Sequence, residues 1–142
     1  NKKFLWIGDG ELRDKLKAKN IEITGWVNRK EGLQKSMNAD VFILTSLWEG
    51  LPISLLESMY MKKLCVVSNV IGNRDVIHNN KNGYVCNSVD EFVKAIKENK
   101  IEYREQAYKD ILEKYDTKIQ AKQYAHIYRE RIGEIYGYTE DD

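Results

Sequence analysis

Apolar residues in this chain fall into short runs, separated by longer segments of mixed character. Four runs are rich in β-branched or aromatic residues and have the length of buried strands: residues 4–7, 21–23, 41–45 and 64–67. A weaker run covers residues 84–86. The pattern therefore predicts five short strands.

The segments between the first strands have the lengths of crossover helices. They cover residues 11–19, 30–38 and 52–61, so that strand and helix alternate over roughly the first 100 residues. Such alternation is typical of a parallel sheet that is covered by helices on both faces. The sequence predicts a doubly wound α/β domain.

Beyond residue 88 the strand pattern ends and helical spacing takes over. Helices are predicted over residues 89–99, 101–115 and 117–136, and residues 137–142 have the character of a terminal tail. The last helix carries tyrosines, which suits packing on its own domain or an additional contact with a partner domain. We expect one domain, over residues 1–136.

Composition limits the possible partners. The chain has 142 residues, 42% of them hydrophobic, and 23 Lys and Arg against 22 Asp and Glu. This balance provides no strong positive field, so nucleic acid is not an expected partner. No apolar run has the roughly 18 residues of a membrane span. Cys65 and Cys86 lie inside predicted strands, which suits reduced thiols and a cytoplasmic location.

The only proline marks a loop that can bind an anion. Pro52 follows Gly50 and Leu51, between the strand at residues 41–45 and the next helix. As the first helical residue it would leave the N–H groups of Ile53, Ser54 and Leu55 without intrahelical partners. Together with the helix dipole, these donors form an anion site that Gly50 allows a ligand to approach.

Two glutamates flank this helix start. Glu57 lies among apolar residues, so we expect it to be buried and to accept hydrogen bonds, either from a sugar diol or from a backbone N–H or an arginine. Glu49 precedes Gly50 and is either a ligand contact or an ordinary exposed loop acid. Carboxylates on both sides of an amide-rich helix start suit a ligand that carries phosphate and hydroxyl groups.

The spacing of the two glutamates resembles the E-x7-E signature of glycosyltransferase family 4, whose members are retaining enzymes of the GT-B fold. Seven residues separate Glu49 from Glu57, and Gly50 directly follows the first. Further segments resemble the family in the same order: residues 7–13, 23–27, 39–46, 69–77 and 82–83. The resemblance covers residues 4–85, and residues 124–128 are similar to the family's terminal helix. It implies the Rossmann-like C-terminal half of a GT-B fold, with extra C-terminal helices.

The resemblance also implies roles for individual residues. Glu57 would bind the ribose hydroxyls of a nucleotide sugar, and Glu49 would contact the transferred sugar as the catalytic carboxylate. The backbone of the loop and helix start would line the sugar and the diphosphate. The residues concerned are Gly50, Leu51, Pro52 and Ile53.

Three further positions are implied at the donor site, and no metal or cofactor is. Val27 would meet the nucleobase through its backbone, and Gly8 and Gly10 would shape the turn that faces the diphosphate. A UDP-sugar is the first expectation for the donor and a GDP-sugar the second. His78 and His126 have no further ligands at suitable spacing, so no zinc site is expected.

The chain departs from the family pattern behind the site and lacks some of its parts. Met59 stands where the family has a small residue, and residues 61–64 replace a Gly-x-Pro. The family's first strand, with its diphosphate-binding arginine and lysine, would precede Phe4, as would the acceptor-binding N-terminal domain. We therefore expect a donor-binding half that is inactive alone, with membrane contact only through the absent part.

Two alternatives stay open on the sequence. One is an epimerase or hydrolase of the same fold that acts on a nucleotide sugar. The other is a module that binds a nucleotide sugar without chemistry. For Arg74, the sequence leaves two interpretations open, a contact with a phosphate and a surface ion pair.

Overall fold

The computed structural model describes residues 2–115, together with residues 118 and 126. The five strands are β1 (Phe4–Trp6), β2 (Ile21–Ile23), β3 (Val41–Leu44), β4 (Leu64–Ser68) and β5 (Tyr84–Cys86). The five helices are α1 (Arg29–Met37), α2 (Ile53–Tyr60), α3 (Ile71–Val76), α4 (Val89–Glu98) and α5 (Ile101–Lys114). All five predicted strands are confirmed to within one residue at either end.

The strands form two separate parallel sheets. One sheet pairs β1 with β2, and the other has the order β3-β4-β5. Phe4 lies opposite Ile21 in the first sheet, and Val41 opposite Leu64 in the second. The predicted parallel α/β arrangement is confirmed, although β1 and β3 are not hydrogen-bonded to each other.

The core lies around β4, because this strand is covered on both faces. Cys65 and Val67 point into one cluster, where they pack with residues of α2 and α5 such as Leu55 and Ala107. Leu64 and Val66 point the other way, into a cluster that contains residues of β5, α4 and α5. Successive side chains of a strand alternate between faces, so an apolar run without alternation fits a central strand.

Strand β1 differs from β4, because its apolar side chains are exposed. Phe4, Leu5 and Trp6 are all exposed, as is Ile7 directly after the strand. Apolar strands of a parallel sheet are normally buried. The edge of β1 that faces away from β2 has no strand partner in the described part of the chain.

Two helical segments differ from the prediction. Residues 11–19 form only a 3₁₀ turn at Arg13–Leu16, because their few apolar side chains find no buried surface and Leu12 stays exposed. Helix α3 was not predicted. Its buried residues include Gly72 and Asn73, which carry no apolar periodicity and have low helix propensity.

The departures behind the site are accommodated by burial. Met59 is fully buried in the cluster beside α5. Lys63 is also buried, and its Nζ donates to the carbonyl oxygens of Met37 at 3.3 Å and Ala39 at 2.5 Å. Burial lowers the pKa of this lysine. The side chain thus caps the carboxyl end of α1 from the base of β4.

The predicted helix at 117–136, the tail at 137–142 and the domain boundary between them lie outside the described residues, apart from residues 118 and 126. Helices α4 and α5 match their predictions to within one residue at the carboxyl end. In the described part of the chain, no helix is long and apolar enough to cross a membrane.

Candidate functional site

The loop between β3 and α2 lies at the carboxyl end of the three-stranded sheet. It begins after Leu44, ends at Pro52 and contains Glu49 and Gly50. Ligands of open parallel sheets bind outside the carboxyl ends of the strands, where loops such as this one gather. The position predicted for the site is therefore the one that the topology favours.

Pro52 caps α2 rather than beginning it. Its ψ of 102° is extended, so Ile53 is the first helical residue and the prediction of Pro52 at that position was wrong. The Pro52 carbonyl oxygen accepts from the N–H of Leu55 at 3.0 Å. Of the three N–H groups expected to be available, those of Ile53 and Ser54 remain for a ligand, and that of Leu55 does not.

Glu49 is held by its own loop. Its Oε1 accepts a hydrogen bond of 2.5 Å from Ser46 Oγ, and the residue is half-buried. The carbonyl oxygen of Ser46 in turn accepts from Ser68 Oγ at the end of β4, at 2.6 Å. Glu49 is thus an oriented carboxylate and not a freely solvated loop acid.

Glu57 forms an ion pair with Arg29 at the start of α1. Arg29 donates from Nη2 at 2.5 Å and from Nε at 3.0 Å, and both bonds end on Oε1 of the carboxylate. The Glu57 side chain is 24% exposed, whereas that of Arg29 is 77% exposed. This is the arginine partner that the sequence left as an alternative to a sugar diol. The pair occupies one oxygen and brings α1 to α2.

The remaining predicted residues divide into two groups. Gly50, Leu51 and Ile53 lie beside Glu49 and are exposed, whereas Pro52 is buried. Val27 lies two residues before Arg29, which forms the ion pair with Glu57. Its Cγ2 would lie 3.7 Å from a Cβ added at Gly32 of α1.

Gly8 and Gly10 lie at the carboxyl end of β1, in the other sheet. Gly8 has a φ of +121° and its N–H donates to Thr24 Oγ1 at 3.1 Å. The Gly10 N–H donates to Asp9 Oδ1 at 2.8 Å. Within residues 2–115, no hydrogen bond joins either glycine to residues 49–53.

Large apolar side chains are exposed in the loops that follow β3 and β2. Leu47 and Trp48 precede Glu49, Leu51 follows it, and Trp26 follows β2. The exposed fraction of Trp48 is 83% and that of Trp26 is 87%. Exposed aromatic and aliphatic groups near a polar site are typical of a surface that another molecule or domain covers.

Several site residues were not found from the sequence. These are Arg29, Ser46 and Ser68, which hold the two glutamates. Arg29 lies 28 residues from Glu57 and Ser68 lies 22 residues from Ser46, so these two contacts leave no local pattern, whereas Ser46 is three residues before Glu49. The available signals were a serine close to Glu49 and a cation two residues after Val27. Arg74 is exposed and makes no ion pair within residues 2–115, so the surface ion pair is not observed.

The described residues contain no group of three or more His, Cys, Asp or Glu side chains arranged to hold a metal ion. The site is instead built from two oriented carboxylates, a helix start and a flanking arginine. These groups can accept hydrogen bonds from hydroxyls and donate to an anion.

The fold is that of GT-B glycosyltransferases. TarM superposes with a TM-score of 0.70 at 25% identity, over 87% of this chain and 28% of TarM. The Anabaena protein Alr3699/HepE, in a complex with UDP and glucose, superposes with a TM-score of 0.76 at 15% identity. The superposition covers 90% of this chain and 40% of the Anabaena protein. The second likeness, at this identity, concerns the fold alone.

The family described as "Glycosyl transferases group 1" matches residues 1–99, and the chain belongs to it. An Escherichia coli relative is named UDP-Gal:alpha-D-GlcNAc-diphosphoundecaprenol alpha-1,3-galactosyltransferase. It is 36% identical over 104 residues, which are 66% of this chain and 26% of that protein. The chain spans 26% to 29% of the length of the curated relatives it matches.

Proposed function

We propose that this chain is the donor-binding, C-terminal part of a retaining family 4 glycosyltransferase. The observation that carries the proposal is the arrangement of Glu49 and Glu57 on either side of the α2 start, at the carboxyl end of a parallel sheet. The parent enzyme would move a sugar from a nucleoside diphosphate sugar to a hydroxyl acceptor.

Each group at the site has a role that suits its chemistry. Glu57 is half-buried and paired with Arg29, so its carboxylate can accept from the two ribose hydroxyls in charge-assisted hydrogen bonds. The N–H groups of Ile53 and Ser54, with the positive end of the α2 dipole, suit the diphosphate. Glu49, oriented by Ser46, would contact the hydroxyls of the transferred sugar.

The donor we propose is a UDP-sugar, with a GDP-sugar as the second candidate. The E. coli relative is named for UDP-Gal, and the chain shares 36% of its residues over the aligned segment. No cofactor or metal is included in the proposal. In this proposal the turn with Gly8 and Gly10 faces the diphosphate, and the backbone of Val27 meets the base.

The proposal includes parts of the protein beyond this chain. An acceptor-binding domain and a basic strand that neutralises the leaving diphosphate would complete the site. Support comes from the exposed apolar β1, the exposed Trp26 and Trp48, and the small share of each relative that the chain covers. Sugar transfer by this chain alone is therefore not expected, and membrane contact would come from the other parts. The free, buried cysteines suit a cytoplasmic protein.

Calorimetric titration with UDP tests the donor role of Glu57. Glu57→Gln removes the negative charge, and we expect UDP affinity to fall by about 10-fold or more, which corresponds to the loss of one or two charge-assisted hydrogen bonds. Glu105→Gln is the matched control, because Glu105 of α5 also pairs with an exposed cation, Lys62 at 3.1 Å, which lies beyond the carboxyl end of α2. Equal affinities for the two variants would contradict the ribose role.

Transfer is tested on the full-length protein with UDP-galactose and a hydroxyl acceptor. Proton NMR of the product reads the anomeric configuration, which we expect to be retained. An epimerised or hydrolysed sugar without transfer would favour the enzymes of other classes that share this fold. Binding without any turnover would favour a binding module.

A further inference from the structure

The backbone that carries Glu49 rests on α3. A Cβ added at Gly72 would overlap the carbonyl oxygen of Gly50 and would lie 2.5 Å from that of Glu49. Both neighbours are backbone atoms and cannot rotate away as a side-chain end could. Glycine is therefore required at position 72 because the two backbones approach closely. Its φ is not in the left-handed region, so backbone conformation is not the reason.

Hydrogen bonds from the end of β4 fix the other end of the same loop. Ser68 Oγ donates to the Ser46 carbonyl oxygen at 2.6 Å. Asn73 is fully buried, and its Nδ2 donates to the Ser68 carbonyl oxygen at 3.0 Å and to Ser68 Oγ at 3.2 Å. Ser46 Oγ completes the chain of bonds by donating to Glu49 Oε1. A continuous path thus leads from the buried amide of Asn73 to the Glu49 carboxylate.

We propose that Gly72, Ser68 and Asn73 are positioning residues that set the place of the Glu49 carboxylate, although none of them is in the loop. The proposal rests on the proposed function, because it assigns these residues to the sugar-contacting side of the donor site. Gly72 contacts the loop backbone at Glu49 and Gly50, and Ser68 contacts it at Ser46. A buried support of this kind holds the carboxylate in place before a ligand arrives.

The substitution Gly72→Ala tests the proposal in the ligand-free 142-residue chain. The new methyl group pushes the loop outward, so we expect the backbone amide signals of Trp48 and Glu49 to move in ¹H–¹⁵N NMR spectra. Amide signals of α4 should keep their positions. Gly32→Ala is the matched control, because a Cβ at Gly32 of α1 meets its nearest atom, Ile7 Cγ2, at an ordinary contact distance of 3.5 Å.

A second pair of variants decides the matter if Gly72→Ala does not fold. Ser68→Ala removes the hydroxyl and should shift the Glu49 amide signal, whereas Ser68→Thr retains a hydroxyl and should leave that signal near its wild-type position. A Glu49 signal that Ser68→Ala leaves in place, or that Ser68→Thr shifts equally, would overturn the proposal, as would a Gly72→Ala chain that matches Gly32→Ala at Trp48 and Glu49.

Ligand binding separates this proposal from the one on which it rests. We expect Gly72→Ala and Ser68→Ala to lose about 10-fold in affinity for UDP-galactose and less than about two-fold for UDP, because Glu49 faces the sugar and not the nucleotide. Equal losses for both ligands would contradict the positioning of Glu49. If the full-length protein binds neither ligand, the proposed function fails, and the NMR signals of the ligand-free chain still decide whether these residues place the carboxylate.

Discussion

Asn82 offers a quantitative test of how the segment before β5 is held. Its side chain is 1% exposed and makes three hydrogen bonds. Oδ1 accepts from the N–H of His78 at 2.7 Å, and Nδ2 donates to the Val76 carbonyl oxygen at 3.2 Å and to Asp110 Oδ2 at 2.7 Å. The residue thus ties the turn after α3 to α5. Asn82→Ala removes all three bonds.

The expected loss follows from these contacts. Each of the two bonds to backbone groups contributes about 1 kcal/mol, and the bond to the carboxylate about 1.5–3 kcal/mol. The free energy of unfolding should therefore fall by about 3.5–5 kcal/mol, a large share of the roughly 5–15 kcal/mol of an ordinary domain.

Urea unfolding followed by circular dichroism measures this difference. Asn79→Ala is the matched control, because Asn79 is an exposed asparagine of the same turn and accepts one bond, from the Val85 N–H at 3.0 Å. We expect a loss of about 1 kcal/mol there. A cycle with Asp110→Ala isolates the coupling of Asn82 to the carboxylate. Equal losses for Asn82→Ala and Asn79→Ala would refute the reasoning.

Three more substitutions give sharp expectations. Arg29→Ala frees Glu57, and since Arg29 is 77% exposed the pair contributes at most about 1 kcal/mol, so UDP affinity measured by calorimetry should rise by no more than about five-fold. A ten-fold fall would show instead that Arg29 itself contacts the ligand. Gly83→Ala places a Cβ 2.7 Å from the Cys65 carbonyl oxygen in the central strand, and urea unfolding should show a loss of about 1–3 kcal/mol, whereas Gly10→Ala, with open space around it, should show almost none. Burial raises the pKa of the Cys65 thiol from 9.0 to about 12, so the unfolded chain releases this proton first and the free energy of unfolding should fall with pH above 9.0. Cys65→Ala should flatten that fall by up to about 1.4 kcal/mol per pH unit, and an unchanged slope would contradict the assignment.

The strands could be predicted from the sequence because their signal is local. Residues 64–67 are apolar without alternation, which fits a strand buried on both faces, and β4 is that strand. Helix α3 lacked such a signal. Gly72 and Asn73 are buried there for close approach and hydrogen bonding, and neither requirement leaves an apolar pattern.

The site was predictable in composition but not in its internal contacts. Glu49 and Glu57 belong to one continuous segment, so their spacing could be read directly. The partner of Glu57 is Arg29, 28 residues away, and the support of the Glu49 loop comes from Ser68, 22 residues from Ser46. Such pairs depend on how the two sheets and their helices pack, and a single sequence does not encode that packing locally.

The exposed edge of β1 has a consequence for the behaviour of the chain at high concentration. Its backbone N–H and C=O groups on the side away from β2 are a template for another strand, and the side chains from Phe4 to Ile7 are apolar and exposed. A second copy of the chain can supply that strand, and the neighbouring Lys2 and Lys3 oppose the pairing by charge repulsion. We expect isolated chains to associate edge to edge as their concentration or the ionic strength rises.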